Sequence, residues 1–123
     1  MFDEQADLAH EIVDRWVENH KKSMTTFLIL LALSAHPMWA GELHRWLERV
    51  AGWSLTERGL HRVLQRMTNL GLIAYSRAES PKSGADRKVY AMTDFGRTVA
   101  QDIKTAGLVY VKNTEITQLY EEL

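Results

Sequence analysis

Most of this chain carries its apolar residues at helical spacing. From Ala6 to Asn19 they fall at Leu8, Ile12, Val13, Trp16 and Val17, which predicts a helix with one apolar face. Residues 20–23 read His-Lys-Lys-Ser, a polar and basic run that predicts a break. Met24 to Ser34 is almost wholly apolar and predicts the buried central helix of the fold. Pro37 ends that region, because its ring disfavours helical backbone in the preceding residue, and it starts a turn. Ala40 to Val50 is the next helix, with Leu43, Trp46, Leu47 and Val50 facing inward and Gly52 placed to end it.

The stretch from Leu55 to Thr93 has a different character. Arg58, Arg62, Gln65 and Asn69 share one helical stripe, while Leu60, Val63, Leu64 and Met67 share the opposite one. This helix starts at Ser54 or Thr56: Ser54-Leu55-Thr56-Glu57 has capping-box spacing, and Thr56 is the competing cap. It closes at Leu70-Gly71, where glycine tolerates the left-handed conformation. Two β-like runs follow, Leu72 to Ser76 and Arg87 to Met92, joined through Ser80-Pro81-Lys82-Ser83-Gly84, which has turn chemistry and no apolar anchor. A helix that buries one face and shows arginines on the other, beside a basic hairpin, is the anatomy of a winged-helix DNA reader.

Thr93 then caps a final helix. Val99, Ile103, Ala106, Val109 or Tyr110, Ile116, Tyr120 and Leu123 follow a three-four spacing along it, with Asn113 on the same seam. Such a stripe at the end of a small domain predicts packing on a second subunit; packing on its own core is the alternative. Gly107 and the β-branched residues around 108–111 weaken the helix locally. The expectation is five helices and one hairpin: a mainly α fold with a small β-hairpin wing (α+β), a winged helix-turn-helix with N- and C-terminal dimerisation helices.

A chain of 123 residues that is 46% hydrophobic can build one core, and burying more surface in a dimer would help it. With no cysteine, disulfide scaffolds, thiolate zinc sites and cysteine nucleophiles are excluded together. The longest apolar run, Phe27 to Leu33, is far too short to span a bilayer, and the acidic start has no signal-peptide pattern. These features predict a soluble, intracellular protein.

The net charge of −1 hides a gradient. Residues 1–20 carry −5 and residues 58–97 carry +5. DNA responds to the local field rather than the total, although local imbalances are common on any surface. Other chemistry is not visible. The five histidines (His10, His20, His36, His44, His61) form no His-x-x-x-His pair, so no metal or other cofactor is expected. No nucleophile–base constellation and no phosphate-cradling glycine loop can be found, and an enzyme is not expected. Core packing is the expected role of Trp16, Trp39, Trp46 and Trp53.

The stretch from about Ile29 to Arg97 resembles PadR-type winged-helix transcriptional regulators. That family's second helix commonly opens with Gly-Tyr-Glu-Leu; here the residues are Ala40-Gly41-Glu42-Leu43. Its recognition helix carries a leucine, an aromatic and proline, then leucines up to Gly-Leu; here it reads Leu60-His61-Arg62-Val63-Leu64, then Met67 and Gly71-Leu72. The most specific match is the end of the wing, a basic pair, a tyrosine and Leu-Thr-x-x-Gly-Arg, against Arg87-Lys88-Val89-Tyr90-Ala91-Met92-Thr93-Asp94-Phe95-Gly96-Arg97. Having His61-Arg62 in place of Tyr-Pro adds a cation to the expected DNA face, so the operator sequence cannot be borrowed from other members. Losing the Gly-Tyr pair is expected to alter helix packing. The compact size and acidic first helix are similar to the cyanobacterial Pex group, which implies regulation of clock-gene expression.

The resemblance implies one PadR-like domain over residues 1–123, with an N-terminal helix at 6–19, a winged-helix core at 24–93 and a C-terminal dimerisation helix at 94–123. It implies a homodimeric repressor whose partners are double-stranded promoter DNA and a second copy of itself, with no membrane. Arg58 and Arg62 are best placed for base edges, because arginine donates two bonds to guanine. His61, Gln65 and Arg66 flank them, Arg87 and Lys88 with Lys82 reach out from the wing, and His44 and Arg45 touch the backbone. Val13, Trp16, Val99, Ile103, Ala106, Tyr110, Ile116 and Tyr120 form the expected dimer interface. A second reading, implied by the same resemblance, is a small-molecule sensor in which Trp16, Trp39 and Tyr110 line an aromatic site between subunits. A third is a protein-interaction module using the terminal helices.

Overall fold

The computed structural model of the chain describes residues 3–53, 55–79 and 86–123. Helix α1 spans Glu4–Ala35. The Asp3 carboxylate starts it by accepting the Gln5 and Ala6 amides at 3.1 and 3.3 Å, and Glu4 and Asp7 complement the positive end of the helix dipole. The break expected at residues 20–23 does not occur. A polar run is not a helix breaker: it holds no glycine or proline, and lysine is a good helix former. His20 is instead gripped, stacked on Trp16 one turn earlier at 4.9 Å and meeting the edge of Trp53 at 5.6 Å. Lys21 pairs with Glu18 at 3.2 Å. All the buried residues of α1 lie in its second half, so the central helix expected at 24–34 is the C-terminal part of one 32-residue helix.

After Pro37 the chain forms a two-residue strand, β1 (Met38–Trp39), too short to leave a period in the sequence. Helix α2 (Ala40–Ala51) and helix α3 (Glu57–Asn69) follow. Both end where glycine takes a positive φ, 78° at Gly52 and 79° at Gly71, as the sequence predicts. Thr56 is the cap of α3, its Oγ1 accepting the Gly59 amide at 2.9 Å; Ser54, the competing cap, lies outside the described residues. Strands β2 (Ile73–Glu79) and β3 (Asp86–Met92) make the wing, longer than expected; its turn at Ser80 to Gly84 also lies outside the described residues. The sheet order is β1-β3-β2, antiparallel throughout, with Trp39 opposite Val89, Tyr75 opposite Tyr90 and Arg77 opposite Lys88.

The core is built from Ile29, Leu30 and Leu33 of α1, Leu43 and Leu47 of α2, and Leu60, Leu64 and Met67 of α3, closed by Met38, Leu72, Ile73 and Tyr90. Trp46 and Val63 pack at its margin. Val50, expected inside, is 51% exposed, because α2 is covered on one side only and its last turn runs past the core.

The final helix is not continuous. Helix α4 (Asp94–Gly107) stops at Leu108, a single 3-10 turn covers Val109–Lys112, and α5 spans Thr114–Glu122. Gly107 and the β-branched Val109 and Val111 weaken the helix, and Asn113 then caps a new one, its Oδ1 accepting the Ile116 amide at 2.9 Å. Asn113, expected on a helical seam, is therefore an N-cap. The whole is a winged helix-turn-helix: a helical body with a small antiparallel wing. Among the described residues no helix is long and apolar enough to cross a membrane.

Candidate nucleic-acid interface

Helix α3 is amphipathic in the strict sense. Leu60, Leu64 and Met67 are buried, and Arg58, His61, Arg62, Gln65, Arg66 and Asn69 are all exposed. Its first turn is fixed by the Thr56 cap and its last by the Gly71 turn. The rod is thus pinned at both ends with its basic side outward. Among the described residues none of Arg58, Arg62 and Arg66 forms an ion pair with a carboxylate. Arg62 and Arg66 face Lys21 and Lys22 of α1 across a groove of about 540 Å³, which Glu18 also lines. Lys22 extends the basic surface beyond α3, while Lys21 is paired with Glu18; neither is legible as part of the site, because their segment reads as a break.

Strand alternation sends the two basic wing residues to opposite faces of the sheet. Lys88 lies on the face of Tyr75 and Tyr90, its Nζ 4.4 Å from the centre of the Tyr75 ring. Arg77, paired across the strands, is 6.0 Å from the same ring. Arg87 lies on the other face, its guanidinium 4.4 Å from the centre of the Trp39 ring. Trp39 precedes α2 and its ring folds across Gly41, where any Cβ would collide with it. An indole from two residues upstream thus fills the space over Gly41. Arg45 reaches the same ring from α2 at 5.2 Å. No sequence period signals this cluster, since its members come from β1, α2 and β3.

His44 is tied down within the protein. Its Nε2–H donates to the Leu55 carbonyl at 2.7 Å, and its Nδ1 lies 3.5 Å from the Glu48 carboxylate. Lys82 lies outside the described residues. Trp39, Arg45, Glu57 and His61 line a groove of about 450 Å³ between the starts of α2 and α3. Trp16 lines a separate groove on the first half of α1 with Leu8, Ile12 and Arg15. Trp16 and Trp39 therefore do not share a site within one protomer. Among the described residues no cluster of three or more histidine, aspartate and glutamate side chains is placed to hold a metal ion.

The residues expected to dimerise are distributed over several elements. Val13 and Trp16 are exposed on α1, 57% and 63% respectively. Val99 packs at the core margin, Ile103 is half-buried and Ala106 is exposed on α4. Tyr110 stands on the 3-10 turn, and Ile116 and Tyr120 on α5, all exposed.

Solved structures share this architecture. A PadR family transcriptional regulator from Eggerthella lenta aligns with a TM-score of 0.71 at 22% identity, over 93% of this chain and 96% of that one. A PadR-like transcriptional regulator from Bacillus cereus aligns with a TM-score of 0.68 at 25% identity, over 81% of this chain and 97% of that one. PadR from Bacillus subtilis, solved in complex with operator DNA, aligns with a TM-score of 0.57 at 20% identity, over 63% of this chain and 44% of that one. No curated protein matches the chain. The model of the transcriptional regulator PadR-like family matches residues 29–102, more than half of the sequence. The chain belongs to the PadR-like family and is a transcriptional regulator, not an enzyme.

Proposed function

We propose that this protein binds double-stranded DNA at a promoter operator as a homodimer and represses transcription there. The observation that carries the DNA reading is the outer face of α3, where three guanidiniums stand exposed without a carboxylate partner among the described residues. An unneutralised basic helix face of this kind matches the major groove in both shape and charge. Arg58 and Arg62 contact base edges, with His61, Gln65 and Arg66 flanking them. Arg87 and Lys88 contact phosphates from the wing, and Arg45 does so from α2. His44 serves by holding the turn before α3. The operator complex of the Bacillus subtilis relative supports the same use of the fold.

The dimer reading rests on unpartnered apolar surface. Leu8, Ile12, Val13 and Trp16 on α1, and Val109, Tyr110, Leu119 and Tyr120 after α4, are all exposed. Apolar surface gathered on terminal elements marks an interaction site. The first half of α1 is also acidic, and DNA would repel it, which keeps this surface available to a second copy. A two-fold dimer reads two half-sites about 34 Å apart or at multiples of that distance.

The test is fluorescence-anisotropy binding to fragments of neighbouring promoters and of a clock-gene promoter, at several salt concentrations, against scrambled competitor. Sequence-selective binding that weakens steeply with salt is expected, and the slope counts the phosphate contacts. Absence of binding to every duplex at low salt would defeat the reading. The clock-gene fragment separately tests the narrower target implied by the sequence resemblance.

A further inference from the structure

Trp39 stands where three elements meet. It pairs with Val89 across the sheet, it precedes the first residue of α2, and it lines the groove that opens onto α3. Two cations converge on its ring, Arg87 from the wing at 4.4 Å and Arg45 from α2 at 5.2 Å. Like charges drawn to one ring repel each other, and the negative face of an indole attracts a cation without neutralising its charge. A carboxylate in the same place would cancel the charge that DNA needs. The Arg87 Nε–H is closed off from solvent and has no hydrogen-bond partner among the described residues, so at this atom the Trp39 ring stands where an acceptor would.

We infer that Trp39 is a positioning residue for DNA binding: its indole holds Arg87 of the wing and Arg45 of α2 as a preordered pair for the phosphate backbone beside α3. The inference rests on the DNA reading above. A flexible arginine loses rotamer freedom when it meets a phosphate, and an arginine already laid on a ring has lost much of it beforehand. The ring also couples the wing to the helix-turn-helix, so that the two cations move as one unit.

The test compares Trp39→Leu with Trp39→Phe in the full chain, each checked for native circular dichroism. Both keep an apolar side chain, and only phenylalanine keeps an aromatic face. Trp39→Leu is expected to bind operator DNA about ten-fold more weakly, with a salt slope lower by about one to two, and Trp39→Phe to restore both to within about two-fold. Wild-type binding by both variants at every salt concentration would overturn the inference. Equal loss in both would overturn it as well, because the effect would then belong to indole packing rather than to the ring face.

A second readout needs no DNA. In the free wild-type protein the Arg87 Nε–H resonance is expected to be shifted by the ring current and slow to exchange, and Trp39→Leu is expected to abolish both properties. A fast-exchanging, unshifted wild-type signal would overturn the positioning role by itself. A wild-type protein that binds no duplex would overturn the DNA reading and this inference together.

Discussion

The Thr93 hydroxyl lies 2.6 Å from the Gly71 carbonyl oxygen, and the same side chain accepts the Gly96 amide at 2.9 Å. One threonine thereby joins the end of α3, the end of the wing and the first turn of α4. Its own amide donates to the Leu72 carbonyl at 3.1 Å, which closes the sheet against the turn after α3. The threonine–glycine pair in the most specific stretch of the sequence is thus a clamp that sets the angle between wing and recognition helix. Thr93→Val keeps the shape and removes the hydroxyl, so about 2 kcal/mol of stability should be lost, a helix cap and a carbonyl bond together. Urea denaturation measures it.

Gly96 completes that clamp by close approach. A Cβ there would collide with the backbone carbonyl of Leu72, which cannot swing aside as a side chain does. Gly96→Ala should therefore cost about 1–3 kcal/mol even though alanine is the better helix former. An unchanged urea midpoint would show that α4 shifts freely on the sheet.

Arg62 tests the reading of α3. Arg62→Ala should weaken binding to the selected operator by about 1–3 kcal/mol and weaken binding to scrambled DNA much less, if the guanidinium reads a base edge. Equal loss on both sequences would assign Arg62 to the phosphates instead. Its exposure separates binding from folding in this comparison: exposed side chains away from caps and core usually change stability by less than about 0.5 kcal/mol.

Periodicity revealed the parts of this fold that rest on an alternation of buried and exposed positions. Helix α3, its two stripes and its terminal glycine are all where the sequence puts them, because each follows from side-chain spacing and one backbone conformation. Residues 20–23 are polar without being a break, because helix termination needs a conformational cause that these residues lack. The last helix is the opposite case: a three-four spacing of apolar residues continues through Gly107 and Asn113, yet local backbone preference and an asparagine cap divide it. The Trp39 cluster could not be read at all. It joins residues from three elements, and strand alternation separates Arg87 from Lys88 although they are neighbours in the chain.

The dimer surface can be tested without DNA. Val13 is 57% exposed and Tyr120 is 74% exposed, so neither contributes much to the protomer's core. Val13→Glu and Tyr120→Glu should each raise the dimer dissociation constant by about two orders of magnitude by burying an unpaired charge, while circular dichroism stays native. Analytical ultracentrifugation reads the shift to monomer. A dimer that persists in the double variant would place the interface elsewhere.

Tyr90 gives the fold a response to alkaline pH. It is buried on the core face of β3, and its ring lies 5.9 Å from that of Tyr75 on the paired strand. Burial first, and then the charge of a neighbouring Tyr75, raises its phenol above the ordinary value of 10.0. On unfolding the phenol returns to its usual value, so the unfolded chain gives up this proton at lower pH than the folded one. Between the two values the folded state binds more protons, and stability must fall as pH rises. Below about pH 10 the contribution is fully present, and it disappears as pH passes through the folded-state value. The urea midpoint should therefore decline above about pH 10, and Tyr90→Phe, which removes only the hydroxyl, should flatten that decline. The same substitution should remove the high-pH component of the native tyrosinate absorbance titration. An equal decline in both proteins would mean that Tyr90 keeps its ordinary acidity in the folded state and that alkaline loss of stability comes from other groups.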